Sequence, residues 1–77
     1  MSASLVEYLA RQLVDEPEAV RVEEAEEDGA LVLRVHVAAD DLGKVIGRRG
    51  RIARSLRIVA RAAAARSNRR VLLEIVE

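Results

Sequence analysis

The chain has no cysteine, one proline, one histidine and a single aromatic side chain among its 77 residues. Without cysteine there is no disulfide framework, no thiolate metal site and no cysteine nucleophile, and the chain suits a reducing compartment. With Tyr8 alone and no Phe or Trp, binding nucleobases by stacking them across a sheet of aromatic rings is excluded. No stretch approaches the roughly 18 apolar residues of a membrane helix. The opening "MSASLVEYLARQLVDEPE" has no basic start followed by an apolar run, so it does not read as a signal peptide. At this length the chain can form one small domain whose core is thin enough to make association plausible.

What is present is a charge balance that cancels only in the sum. Residues 1–33 carry two basic and nine acidic side chains; residues 34–77 carry eleven basic and four acidic. From Lys44 to Arg70 there are ten basic residues and no acid. Such asymmetry points to a polyanionic partner. It is equally compatible with two solvated faces that attract each other.

Hydrophobic periodicity predicts the order α-β-β-α-α-β. Leu5, Tyr8, Leu9 and Leu13 recur at helical spacing over 3–14, and Pro17 ends that helix. "AVRVEEAEEDGALVLRVHV" reads as two strands about a turn at Asp28-Gly29. In the second strand Leu31, Leu33, Val35 and Val37 share one face; Val32, Arg34 and His36 share the other. A short helix follows, with Asp40 as its expected N-cap. After the glycines a longer helix is expected over 51–66, with Ile52, Leu56, Val59 and Ala63 on one stripe and Arg51, Arg54, Arg57 and Arg61 opposite. "RRVLLEIVE" supplies a third strand. Carrying the chain from strand two to strand three through two helices suits a right-handed crossover with parallel pairing. The fold class is therefore α+β: a three-stranded mixed sheet with three helices on one face.

The stretch "VIGRRGRI" joins the two middle helices. A glycine pair lets a phosphate or sugar lie against the main chain, and the first N–H groups of the following helix favour an anion. Arg48 and Arg49 project from the turn, beside Lys44 and Arg51. Taken alone, G-x-x-G also describes an ordinary turn with solvated arginines. Other signals are bland. A lone His36 without cysteine reads as a surface residue rather than a metal ligand. Asp40-Asp41 reads as helix capping rather than a catalytic pair, since adjacent helical residues do not face each other. The segment from Gly43 lacks the spacing of a phosphate-binding Walker loop. With no coupled nucleophile and base, no metal set and no cofactor cradle, neither an enzyme nor a cofactor is expected.

The glycine loop inside this element order resembles the KH domain, an RNA-binding fold, in its prokaryotic type II form. The opening "LVEYLARQLVDEPEAV", the centre "DDLGKVIGRRGRIARSLRIVARAAAA" and the ending "RRVLLEIVE" resemble the small single-KH bacterial KhpA (YlqC-like) family. That resemblance implies one KH domain over 1–77 and a cytoplasmic protein that holds single-stranded RNA with low sequence specificity. It implies a post-transcriptional regulator or RNA chaperone, one that forms a homodimer or pairs with a second KH-containing protein of the KhpB type. The family is linked to cell shape.

By position, Gly47, Arg48, Arg49 and Gly50 are the expected clamp. Lys44, Arg51 and Arg54 extend its positive rim, and Ile52 opens the helix behind it. Val45 and Ile46, with apolar residues of the second strand, are expected to floor the groove. Ala53 stands third after the second glycine, where many KH domains place a large aliphatic residue. Phosphate contacts position a ligand without reading it, so modest affinity and loose preference are expected. The alternative is a protein-interaction module in which nucleic-acid binding is secondary, with Ile58, placed among the arginines, as a candidate association residue.

Overall fold

The structure, a computed structural model, describes residues 2–76. It begins with helix α1 (Ser2–Leu13), then a single 3-10 turn at Pro17–Ala19 where the proline's fixed φ opens the turn. Strands β1 (Arg21–Glu27) and β2 (Ala30–His36) form an antiparallel hairpin. Asp28 and Gly29 both take positive φ, 53° and 79°, as a two-residue hairpin turn requires. A 3-10 turn at Ala39–Asp41 leads into α2 (Leu42–Ile46); a second at Arg48–Gly50 leads into α3 (Arg51–Ala63). Strand β3 (Val71–Val76) then pairs parallel to β2. The sheet order is β1-β2-β3. The α+β architecture expected from sequence, a three-stranded mixed sheet carrying three helices, is the one found, and its order is that of a type II KH fold.

Alternation in β2 sends Leu33, Val35 and Val37 under the helices, where Leu33 and Val35 keep none of their surface. They join Val6 and Ala10 of α1, Val45 of α2, Leu56 and Ala60 of α3, and Leu73 of β3 in one core. Truncating a fully enclosed leucine such as Leu33 to alanine typically costs about 2–5 kcal/mol, a large share of the stability of a domain this small. Val32 departs from the expected pattern. It stands on the open face yet keeps only 1% of its surface. On either side of it the Arg34 guanidinium is held between Glu27 of β1 at 2.7 Å and Glu74 of β3 at 2.9 Å, a bridge that spans the strand.

Two helical faces are rotated from expectation. In α1 the enclosed residues are Val6 and Ala10, while Leu5, Tyr8 and Leu13 stay at the surface. In α3 they are Ala53, Leu56 and Ala60, with Ala64 just beyond; Ile52 and Val59 are only half-buried and Ala63 is exposed. The reason is size. A stripe of alanines lets α3 lie close on the sheet, and its larger residues turn sideways toward α1. The helix also stops at Ala63 rather than reaching 66, and Asn68 with φ of 55° completes the turn into β3.

Candidate nucleic-acid interface

The loop begins where α2 runs out. Gly47 donates its N–H to the Gly43 carbonyl at 2.9 Å and takes φ 77°, ψ 171°, a conformation open essentially to glycine. A Cβ built there would meet Ile52 Cγ1 at 2.7 Å and the Ile52 main-chain nitrogen at 2.9 Å. Ile52 is thus folded back onto Gly47, and this contact makes the corner tight. Gly50 differs. It takes φ 73°, but a Cβ there would point into open space. The two glycines, read alike in the sequence, do different work: the first is a packing requirement, the second a conformational one.

Between them Arg48 and Arg49 complete one 3-10 turn, closed by the Gly50 N–H on the Gly47 carbonyl at 3.1 Å. The Arg51 N–H is likewise spent on the Arg48 carbonyl. These two N–H groups are therefore not open to an anion, whereas the exposed arginine side chains are. Arg49 sits at φ 59°, a left-handed conformation that costs a side-chain-bearing residue about 1–2 kcal/mol. A cation is held there against local preference.

Two of the expected site residues, and the apolar residues of β2 expected beside them, are placed otherwise. Val45 keeps none of its surface and belongs to the core, so it anchors α2 instead of flooring a groove. Leu33 and Val35 of β2 are shut away under the helices for the same reason. Lys44 is turned from the rim to the acidic half, with its Nζ 2.9 Å from Asp15 and 3.6 Å from Asp41. The hydrogen bond and charge of Asp15 hold its ammonium above the ordinary lysine range. Ile46 remains available, 36% exposed at the end of α2. Ala53, which stands where many KH domains place a large aliphatic residue, is buried on the inner face of α3.

From sequence Asp41 is expected only as one of a capping pair. Its carboxylate makes no cap on α2. Instead it accepts the main-chain N–H groups of Asp15 and Glu16 at 3.2 and 3.1 Å, tying the end of α1 to the start of α2. Only 2% of Asp41 is exposed. That burial pushes its carboxyl up, but the two N–H donors and Lys44 outweigh it and leave the group below the ordinary aspartate value. The i, i+3 spacing of Asp41 and Lys44 was visible in the sequence. The two backbone donors, 25 and 26 residues away, carry no side-chain signal.

The basic residues divide cleanly. Arg11, Arg34, Lys44 and Arg69 are paired with acids, and His36 with Glu23, whose carboxyl that bond holds below its ordinary value. Arg48, Arg49, Arg51 and Arg54 are exposed and have no ion pair among the described residues. Arg57, next on the same flank of α3, sends its Nε to the main-chain carbonyl of Leu73 at 3.4 Å. The first group of cations is neutralised by acids nearby in the fold; the loop's arginines, like Arg21, Arg61, Arg66 and Arg70, have no ion pair among the described residues.

On the other flank of α3, an apolar groove of about 280 Å³ runs between α1 and α3, lined by Leu9, Leu13, Ile52, Leu56 and Val59 with Gln12 and Ser55. Tyr8, 61% exposed, and Ile58, 59% exposed, stand on the same two helices. No helix among the described residues is long and apolar enough to cross a membrane, and no group of three or more His, Cys, Asp or Glu among them is placed to hold a metal ion.

A family model described as the KH domain of KhpA/KhpB matches residues 3–75. A Clostridium perfringens protein named RNA-binding protein KhpA is 46% identical over 72 residues, which cover 94% of this chain and 96% of that one. Proteins of the same name from Halalkalibacterium halodurans and Treponema pallidum are 47% and 46% identical, covering 96% and 100% of this chain and 97% and 96% of their own. Among solved structures, Aquifex aeolicus Era bound to GDP and aluminium fluoride matches with a TM-score of 0.60 at 23% identity, over 96% of this chain and 29% of the Era chain. At that identity the likeness concerns the fold.

Proposed function

The chain belongs to the KhpA/KhpB KH-domain family, and from that membership we propose that it binds single-stranded RNA by clamping the sugar-phosphate backbone at Gly47-Arg48-Arg49-Gly50. The observation that carries this reading is the set of exposed arginines at 48, 49, 51 and 54, none of them neutralised by an acid among the described residues. Arg48 and Arg49 stand on a turn whose main chain is bent through positive φ at Gly47, Arg49 and Gly50, and Arg51 and Arg54 follow at the start of α3. The relatives' name, RNA-binding protein KhpA, favours the same ligand.

In this mechanism Gly47 lets Ile52 close the corner, and the corner aims Arg48 and Arg49 outward together. Arg51 and Arg54 continue the line of charge along α3, one turn apart. Ile46 offers an apolar contact beside the loop. Lys44 and Asp41 act behind it, holding α2 to the end of α1. Grip of this kind recognises backbone more than sequence. It fits one KH domain working in the cytoplasm as a non-enzymatic post-transcriptional regulator or RNA chaperone.

The test is fluorescence anisotropy of short labelled RNAs with wild type and with Arg48→Glu/Gly50→Asp. That pair spares Gly47, where any Cβ collides with Ile52. Binding that weakens with salt and is lost in a variant with unchanged circular dichroism supports the clamp. Equal binding by both proteins refutes it.

The apolar groove between α1 and α3 favours a second role, association with another copy or with a second KH-containing protein, on the face away from Arg54 and Arg57. Sedimentation of wild type against Leu13→Glu, on the exposed rim of the groove, tests it. A concentration-dependent dimer that dissociates in the variant is expected; a wild type monomeric at all concentrations, alone and with the partner, refutes it.

A further inference from the structure

Ile52 belongs to two places at once. It closes the clamp, with its Cγ1 2.7 Å from where a Cβ on Gly47 would stand. It also lines the apolar groove between α1 and α3, with Leu9, Leu13, Leu56 and Val59. The loop it closes is held against local preference: Gly47, Arg49 and Gly50 take φ of 77°, 59° and 73°. Such conformations persist only where their surroundings over-determine them. Restraint on Ile52 is therefore restraint on the clamp.

Helix α1 indicates what covers the groove. It has two apolar faces. Val6 and Ala10 face the core, whereas Leu5, Tyr8 and Leu13 keep 39%, 61% and 36% of their surface. Leu5 and Tyr8 stand one turn before Leu9 and Gln12, so they continue the groove's α1 wall. Projecting side chains beside a hollow suit a two-fold pair, in which each copy brings both. The groove has no charged side chain in its lining among the described residues, so two copies can meet there without burying an unpaired charge. Arg54 and Arg57 lie on the other flank of α3, where RNA does not compete with a second copy.

Resting on the clamp and association readings above, we propose that Ile52 couples the two. A second copy of this chain seated in the groove pins Ile52 against Gly47 and tightens the grip on RNA. A clamp that is formed only part of the time binds with an affinity reduced by that fraction, and filling the groove raises the fraction. The coupling is reciprocal, so bound RNA tightens the pair by the same factor.

The experiment is sedimentation equilibrium with and without saturating tetrauridylate, on wild type, Ile52→Ala, Ile52→Val and Gly50→Asp. A clamp of this kind spans about four nucleotides, so this RNA cannot bridge two copies and imitate coupling through avidity. Anisotropy of the labelled oligomer checks saturation, and circular dichroism checks folding. With RNA bound, the wild-type dimer constant should fall at least about fivefold, the low end for coupled sites. Ile52→Ala keeps every arginine, so any relief of charge repulsion by RNA survives in it, and its shift should shrink to within about twofold. Ile52→Val, two methyl groups larger than alanine and one smaller than isoleucine, should fall between, and it decides the matter where Ile52→Ala does not fold. Gly50→Asp should show no shift. A wild-type constant unchanged or raised by bound RNA overturns the coupling and leaves clamp and dimer standing. So does a full shift in both Ile52 variants. A wild type that binds RNA yet stays monomeric hands the groove to another partner and overturns this inference; one that dimerises without binding RNA refutes the clamp first and this inference with it.

Discussion

Alanine at Gly47 and alanine at Gly50 should have clearly unequal consequences, although the two positions look equivalent in the motif. At Gly50 the side chain has room, so the cost is the left-handed conformation alone, about 1–2 kcal/mol. At Gly47 the conformation is one that side chains scarcely visit, about 1–3 kcal/mol. The new Cβ would also stand 2.7 Å from Ile52 Cγ1 and 2.9 Å from its main-chain nitrogen. Relieving that overlap by shifting α3 adds overpacking of about 1–3 kcal/mol, a combined loss of about 2–6 kcal/mol. A domain of 77 residues holds about 4–12 kcal/mol in all, at 0.05–0.15 per residue. Gly47→Ala should therefore unfold at much lower urea, or not fold, while Gly50→Ala remains folded with a midpoint lowered by roughly 0.5–2 M. Urea titration followed by far-ultraviolet circular dichroism measures both. Removing the Ile52 side chain in Gly47→Ala/Ile52→Ala should recover only part of the loss, because the backbone contact remains. Equal midpoints for the two single variants would refute the contact between Gly47 and Ile52 as the reason for the first glycine.

Three further outcomes follow from the same loop. Asp41, held below its ordinary value in the folded state, contributes stability that is present above the unfolded pKa and lost as pH falls through the folded one; wild type should thus lose midpoint as pH drops below about 4, and Asp41→Asn should be less stable at pH 7 with a flatter acid limb, which urea titration across pH 2–7 would show. Arg49→Gly relieves a positive φ and should raise stability by about 0.5–1 kcal/mol while lowering RNA affinity severalfold; anisotropy and unfolding on one preparation separate the two effects. With Lys44 turned to Asp15 and three or four arginines left for phosphates, the log–log salt slope of RNA binding should be about −2 to −3, and a slope near zero would deny the phosphates their part.

These assignments also explain how a chain of no net charge can bind a polyanion. Several of its acids are spent on nearby cations. Glu27 and Glu74 bracket Arg34, Glu26 takes Arg69, and Asp15 with Asp41 takes Lys44. Each exposed pair is worth little to stability. They leave Arg48, Arg49, Arg51 and Arg54 unpaired, with a charge that reaches roughly 8 Å at physiological salt.

Much of this was legible in the residues. Period-two alternation fixed the core face of β2, Asp28-Gly29 announced the hairpin, and two glycines bracketing two arginines marked the loop, because these signals depend on a residue and its near neighbours. Signals that require knowing which element lies alongside were not legible. Helical spacing placed Leu5, Tyr8 and Leu13 inward, but a helix's buried face is chosen by the partner it meets, and here Val6, Ala10 and the alanines of α3 permit the closer approach. For the same reason Val45 left the expected groove for the core, Lys44 left the rim for Asp15, and Asp41 found donors on a segment 25 residues away. The sequence alone determined the element order, the fold class and the cationic corner, since local periodicity and glycine's conformational freedom suffice for these. Tertiary structure alone decided which glycine is a packing requirement, which cations remain free, and that Arg57 meets the edge of β3, because each of those is a distance between residues the chain brings together only by folding.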